Sequence, residues 1–138
     1  MHLDQIAKDL PVLFCALFVA ILFIQSGLDK VFDWKGNLAW LTGHFSKTFL
    51  GKMVPVMLGT ITLMELATGF LSAAGIIYFL TGGSLGLIFI AGILGAASLT
   101  ALFFGQRVAK DYAGAAVLVP YFILLIIMIY LSNPYGKN

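Results

Sequence analysis

Long apolar runs, separated by short polar stretches, dominate the pattern of residues along the chain. A helix needs about 20 apolar residues to cross a bilayer core about 30 Å thick. Four runs meet this length and predict spanning helices over residues 11–30, 53–80, 84–105 and 112–132. Because backbone polar groups must be paired inside a bilayer, such runs favour a helical bundle. The pattern therefore predicts an all-α integral membrane protein with one four-helix domain over residues 1–138.

Glycine and proline residues indicate how these helices are connected. The second and third predicted spans are separated by a short turn that contains Gly82 and Gly83, so we expect antiparallel neighbours. Ser84 follows this turn and is placed to cap the third helix. Pro120 lies inside the fourth span, where its missing N–H predicts a kink. The fourth span should end just before Pro134.

The longest connection, over residues 31–52, mixes aromatic and polar residues. It contains Trp34, Trp40, His44 and Phe45 among charged and small polar side chains. This mixture is typical of a short helix at the boundary between lipid and water. We therefore expect an interfacial helix that lies flat over one end of the bundle.

Composition and charge agree with a bilayer as the main solvent. Hydrophobic residues make up 61% of the chain and charged residues 10%, which excludes an ordinary water-soluble domain. The basic residues of the first and third loops are Lys30, Lys35, Lys47, Lys52, Arg107 and Lys110, whereas Lys8 and Lys137 belong to the other side. The positive-inside rule then predicts both termini outside. The chain has no stripe of basic residues of the kind that binds nucleic acid, so we expect no nucleic-acid partner.

Glu65 is the most informative polar residue, because it lies about midway along the second predicted span. An ionised carboxylate at that depth costs roughly 3 kcal/mol on insertion scales. Thr62, Gly69 and Ser72 share its helical face, so the side chain should point into the bundle. Two interpretations stay open. Glu65 is either a proton carrier or partner for a bound headgroup, or an interhelical staple to a basic or backbone group.

A second group of polar residues closes the first span and faces the third loop. Its members are Gln25, Asp29, Lys30, Asp33, His44 and Arg107. One interpretation is mutual pairing of the two aspartates with Lys30 and Arg107 at headgroup level. The other is a site for an anionic lipid head or a quinone carbonyl beside Arg107 and His44.

The sequence contains no pattern of a catalytic or metal centre. No histidine lies in a predicted span, so axial haem ligation is not expected. His2 and His44 lack metal-site spacing, and Cys15 is the single cysteine, which excludes an intrachain disulfide and a CxxC motif. We therefore expect no haem, no metal and no catalytic residue.

Two segments resemble the DoxX family of small bacterial membrane proteins. They are FIQSGLDKVFDW at the end of the first span and MELATGFLSAAG in the second. The matching positions are Gly27, Lys30 and Glu65, the last followed by Gly69 and Gly75. The resemblance implies a four-helix protein of the bacterial inner membrane. The founding members of the family are linked to a terminal quinol oxidase or a thiosulfate:quinone oxidoreductase of sulfur-oxidising microbes.

Three functions follow as hypotheses. The first is a noncatalytic subunit or anchor of a quinone-linked redox complex, with quinone as the suggested guest and membrane redox proteins as partners. The second is a small proton-linked transporter or conducting homo-oligomer that uses Glu65. The third is a structural or assembly factor of a membrane complex. Because the sequence lacks cofactor ligands, an independent oxidoreductase is disfavoured.

Overall fold

The computed structural model describes residues 2–135, and the regular structure in this range is helical. The helices are α1 (His2–Lys8), α2 (Leu10–Phe32), α3 (Trp34–His44), α4 (Val54–Leu80), α5 (Gly86–Val108) and α6 (Tyr112–Ser132), and a 3₁₀ turn at Gly51–Met53 precedes α4. By length and composition, α2, α4, α5 and α6 could each cross a membrane. The predicted all-α, four-helix membrane bundle with a short helix in the first loop is confirmed.

Three ends of the spanning helices, at Leu80, Tyr112 and Ser132, match the sequence-based bounds, and the other five differ by one to three residues. Helix α2 continues to Phe32, and α5 begins at Gly86 and ends at Val108. Leu85, not the predicted Ser84, is the N-cap residue of α5, although Ser84 Oγ accepts a hydrogen bond from the Gly86 N–H at 3.2 Å. Helix α1 was not predicted. It is separated from α2 just before Pro11, which lies in the first turn of α2 where its missing N–H costs no hydrogen bond.

A tight turn reverses the chain between α4 and α5. Gly82 has a φ of +104°, a left-handed conformation that glycine adopts without strain. The Gly83 N–H donates to the Tyr78 carbonyl at 2.8 Å, and the Gly82 N–H donates to the Phe79 carbonyl at 3.1 Å. This pair of bonds is a Schellman motif. It ends α4 and returns α5 alongside it, as predicted.

Small residues let α2 and α4 approach closely. A Cβ atom added at Gly69 would lie 2.7 Å from the backbone nitrogen of Ile24, and one added at Gly27 would lie 2.6 Å from Leu66 Cδ2. In addition, Ser72 Oγ donates to the Ala16 carbonyl at 2.7 Å. Close backbone contact and interhelical hydrogen bonds are the forces that associate helices in lipid.

The apolar side chains divide into a buried core and an exposed outer surface. The buried members of the main core are Val12, Ala16, Val19, Phe23, Ile88, Ala91, Leu99, Leu125 and Met128. Large apolar side chains such as Phe14, Leu63 and Ile123 are exposed on the outside. An exposed apolar surface of this kind is expected of helices that contact lipid tails. Helix α6 continues through Pro120 as one helix.

Candidate functional site

A triad of the buried Glu65 and the partly buried Ser26 and Lys30 joins α2 to α4. The Nζ atom of Lys30 lies 2.8 Å from Oε1 of Glu65. Ser26 Oγ donates to the other carboxylate oxygen, Oε2, at 3.0 Å, and it accepts from Lys30 Nζ at 3.0 Å. Each member therefore contacts the other two. Glu65 is only 3% exposed, so the triad places a carboxylate inside the bundle with its partners attached.

The sequence of α2 explains how Lys30 reaches the interior. Ser26 and Lys30 are four residues apart, so they lie on one face of the helix, one turn above the other. Gly27 lies between them and brings the α4 backbone near. The long lysine side chain then extends along this face to Glu65, with 19% of its surface exposed. Lys30 is also in the last turn of α2, where a cation is favoured by the helix dipole.

The geometry of the triad matches the staple interpretation of Glu65. Two buried charges compensate each other only when they are close and hydrogen-bonded, and removal of one partner costs about 3–5 kcal/mol. Ser26 donates a hydrogen bond to Oε2 of Glu65, while Lys30 pairs with Oε1 by charge at 2.8 Å in a geometry that does not make a hydrogen bond. The triad can therefore hold α2 against α4 without any further group.

Buried hydroxyl groups continue from Glu65 along α4. Thr62 Oγ1 donates to the Leu58 carbonyl at 2.7 Å, and Thr68 Oγ1 donates to the Met64 carbonyl at 2.7 Å. The face of α4 with Thr62, Gly69 and Ser72 was predicted from the sequence to point into the bundle. All three residues are buried, which confirms this prediction. Thr68 was missed, although its position three residues after Glu65 puts it on the same face.

Ser98 is a buried polar residue that the sequence analysis did not single out. It lies on α5 and is fully buried, and its Oγ has no hydrogen-bond partner among residues 2–135. Thr68 contacts the Gly95 position across the α4–α5 interface. Because the two helices are antiparallel, this register places Ser98 at about the depth of Glu65.

A second polar cluster lies at the end of the bundle where α3 meets α5 and α6. His44 Nε2 is 3.1 Å from Gln106 Oε1 and 3.7 Å from Asp111 Oδ2. Asp111 Oδ1 also accepts from the Gly114 N–H at 2.9 Å, which caps α6. The His44 ring stacks on Trp40 with centroids 4.5 Å apart. These contacts tie the end of α3 to the α5–α6 turn.

The expected pairing of Asp29 and Asp33 with Lys30 and Arg107 is wrong, because neither basic residue pairs with either aspartate. Lys30 turns into the bundle and binds Glu65, while Arg107 lies 4.4 Å from the centroid of the Tyr112 ring. Gln25, Asp29 and Asp33 are exposed and join neither polar cluster. The expectation failed because the inward path of Lys30 depends on the register between α2 and α4. Lys137 and the side chain of His2 lie outside the described part of the chain.

Two open apolar grooves lie on the outside of the bundle, away from the triad. One, of about 230 Å³, lies between α5 and α6 and includes Thr100 and Phe122. The other, of about 370 Å³, lies between α2 and α6 and includes Cys15, Pro120 and Tyr121.

Over residues 2–135, no group of three or more His, Cys, Asp or Glu side chains is arranged to hold a metal ion. Comparisons of the chain with protein-family models, with curated proteins and with solved structures found no match.

Proposed function

We propose that this chain is a DoxX-like protein that acts as a noncatalytic subunit or anchor of a quinone-linked redox complex. The observation that carries the proposal is the meeting of Gly27, Lys30 and Glu65 at one contact between α2 and α4. Gly27 and Lys30 lie 35 or more positions before Glu65 in the sequence, yet these three residues are among those on which the DoxX resemblance depends. A shared packing unit is a physical reason for such a set of residues to occur together.

The contacts of the triad support a structural role over a catalytic one. A catalytic acid, base or proton carrier must reach a substrate or a chain of water molecules. Glu65 is instead committed to Lys30 and Ser26, and it lines neither of the two outer grooves. The same commitment weighs against the conducting homo-oligomer. In the proposed complex, the redox chemistry and its cofactors belong to the partner.

The outer surface of the bundle supplies room for such a partner. The groove between α2 and α6 is lined by Phe14, Phe18 and Leu124, with the hydroxyl-bearing Tyr121 among them. An isoprenoid quinone tail or a partner helix is apolar and suits this lining. In this proposal the protein lies in the bacterial inner membrane with both termini outside, so the loops rich in lysine face the cytoplasm.

The test is purification from native membranes in mild detergent, followed by quantitative mass spectrometry of proteins and extracted quinones. The proposal expects a redox protein in stoichiometric amount, together with quinone above the level of bulk membrane. A matched variant, Phe14→Ala with Phe18→Ala, alters the α2–α6 groove while leaving the triad intact, and it should reduce recovery of the partner. A lone homo-oligomer with bulk lipid would contradict the proposal.

A further inference from the structure

Basic side chains are concentrated at one end of the bundle. This end, called the loop end here, is formed by the end of α2, by α3, by the start of α4 and by the α5–α6 turn. Once the Lys30–Glu65 pair is set aside, five basic and three acidic side chains remain there. At the opposite end, the described residues include Lys8 with Asp4 and Asp9. The loop end therefore carries a net positive charge from its side chains, whereas in the sequence Lys8 and Lys137 of the opposite end are balanced by Asp4 and Asp9.

Four of these basic residues belong to two segments that pack together through a small apolar cluster. Phe45, Leu50 and Val54 are buried together and pack against Val108 and Ala109. This contact holds the loop that follows α3 against the end of α5. The basic residues carried by these two segments are Lys47, Lys52, Arg107 and Lys110, and all four are exposed. We call these four residues the basic rim.

The surroundings of the basic rim suit the headgroup region of a bilayer. Trp40, Phe49 and Tyr112 are exposed by 60%, 72% and 52%, and aromatic side chains favour the depth just below the headgroups. Arg107 Cζ lies 4.4 Å from the centroid of the Tyr112 ring, and the guanidinium group carries five N–H donors that suit phosphate oxygens. Asp111 is the acidic residue between Arg107 and α6; its Oδ1 accepts from the Gly114 N–H, and its Oδ2 lies 3.7 Å from His44 Nε2.

We propose that the basic rim binds the phosphate groups of anionic phospholipids in the leaflet at the loop end. The four basic side chains are complementary in charge to these phosphate groups. Lysine and arginine near an anionic membrane surface each contribute about 1 kcal/mol of attraction, or roughly fivefold in local lipid concentration. The basic rim supplies four such groups on segments that the apolar cluster holds together. The inference concerns lipid contact and does not depend on the identity of a redox partner.

The two tryptophans of the chain make this proposal measurable. Trp34 and Trp40 both belong to α3 at the loop end, and the chain has no other tryptophan. The protein is reconstituted in phosphatidylcholine vesicles that contain a minor fraction of phosphatidylglycerol. Bromine, which quenches tryptophan on contact, is placed on the phosphatidylglycerol chains in one sample. In the other sample it is placed on an equal mole fraction of phosphatidylcholine.

Stronger quenching by the brominated phosphatidylglycerol is the expected result. The triple variant Lys47→Gln, Lys52→Gln, Lys110→Gln should lower this excess by about twofold or more, and high salt should lower it in the parent protein. Arg107 is kept in the variant so that its contact with Tyr112 is not lost. Lys8→Gln, at the opposite end, is the matched control and should leave the excess unchanged.

Three results would overturn the proposal. Equal quenching by the two brominated lipids would mean that anionic lipid is not enriched at the loop end. The triple variant could also keep the full excess of quenching by phosphatidylglycerol while eluting like the parent in size-exclusion chromatography. This result would show that the basic rim does not cause the excess. Loss of the excess in inorganic phosphate, but not in chloride of equal ionic strength, would indicate a site for soluble phosphate.

Discussion

The ammonium group of Lys30 lies 2.8 Å from the carboxylate of Glu65, and this contact joins α2 to α4 inside the bundle. The Glu65 side chain is 4% exposed and that of Lys30 is 19% exposed, so solvent screens this pair less than it screens an exposed one. The pair therefore has a larger energetic role than an exposed ion pair, for which the gain is about 0–1 kcal/mol.

Replacement of Lys30 by methionine should destabilise the protein by about 3 kcal/mol, because Glu65 would remain buried with Ser26 alone. Thermal unfolding in detergent, followed by circular dichroism, measures the change. Lys35→Met is the control, since Lys35 is exposed on α3 and its loss should have little effect. Glu65→Gln should be milder than Lys30→Met, because the amide oxygen still accepts hydrogen bonds. Equal melting of Lys30→Met and Lys35→Met would contradict the account.

Gly69→Ala should destabilise the α2–α4 contact, because the new Cβ would lie 2.7 Å from the backbone nitrogen of Ile24. Backbone cannot move aside as a flexible side chain can, so we expect a loss of about 1–3 kcal/mol. Gly59→Ala is the control in the same helix, since its nearest atom would be Trp34 Cη2 at 3.8 Å. The control should melt at or above the parent temperature, because alanine favours helix over glycine. An unchanged melting temperature in Gly69→Ala would contradict the close contact between Gly69 and the backbone of Ile24.

Ser72→Ala and Ser98→Ala should differ in direction, although both remove a buried hydroxyl group. Ser72 Oγ donates to the Ala16 carbonyl of another helix, and interhelical bonds of this kind average about 0.6 kcal/mol. Ser98 Oγ has no hydrogen-bond partner in the described residues, so its removal should leave stability unchanged or raise it. Melting temperatures of the two variants in one detergent provide the comparison. A larger loss for Ser98→Ala would show that its hydroxyl group is bound.

His44→Ala should loosen α3 without unfolding the bundle. His44 contacts Gln106 and Asp111 and stacks on Trp40, whereas α3 has no buried residue of its own. Hydrogen exchange followed by mass spectrometry should therefore show faster exchange in peptides covering α3, with the spanning helices unchanged. Thr42→Ala is the control, because the Thr42 hydroxyl bonds only within α3, to the Leu38 carbonyl. Equal exchange in both variants would exclude His44 as an anchor.

The four spans and the inward face of α4 could be predicted because both depend on local pattern. Apolar length fixes a span, and helical periodicity places Thr62, Glu65 and Ser72 on one face. The interfacial segment could be predicted as a helix from its aromatic and polar mixture, although His44 gave no sign of its partners. Helix ends were less certain, since Gly105 does not stop α5 and the Phe45 ring packs beside it.

The pairing of charges could not be predicted, because it depends on the register between helices. Lys30 is next to Asp29 in sequence and 35 residues from Glu65, so sequence proximity favoured the wrong partner. Only the close approach at Gly27 and Gly69 brings α4 within reach of the lysine side chain. The contact of His44 with Gln106 likewise joins residues 62 positions apart. These contacts follow from tertiary packing, which one sequence does not encode in a visible pattern.

The most direct test of the account is a double-mutant cycle on Lys30 and Glu65, measured as the free energy of unfolding in one detergent. The variants are Lys30→Met, Glu65→Leu and the combination of both. The account predicts that the double variant is more stable than the sum of the single losses implies, by about 2 kcal/mol or more, because it leaves no unpaired buried charge. Additive losses, with no coupling between the two positions, would contradict the claim that this pair holds α2 against α4.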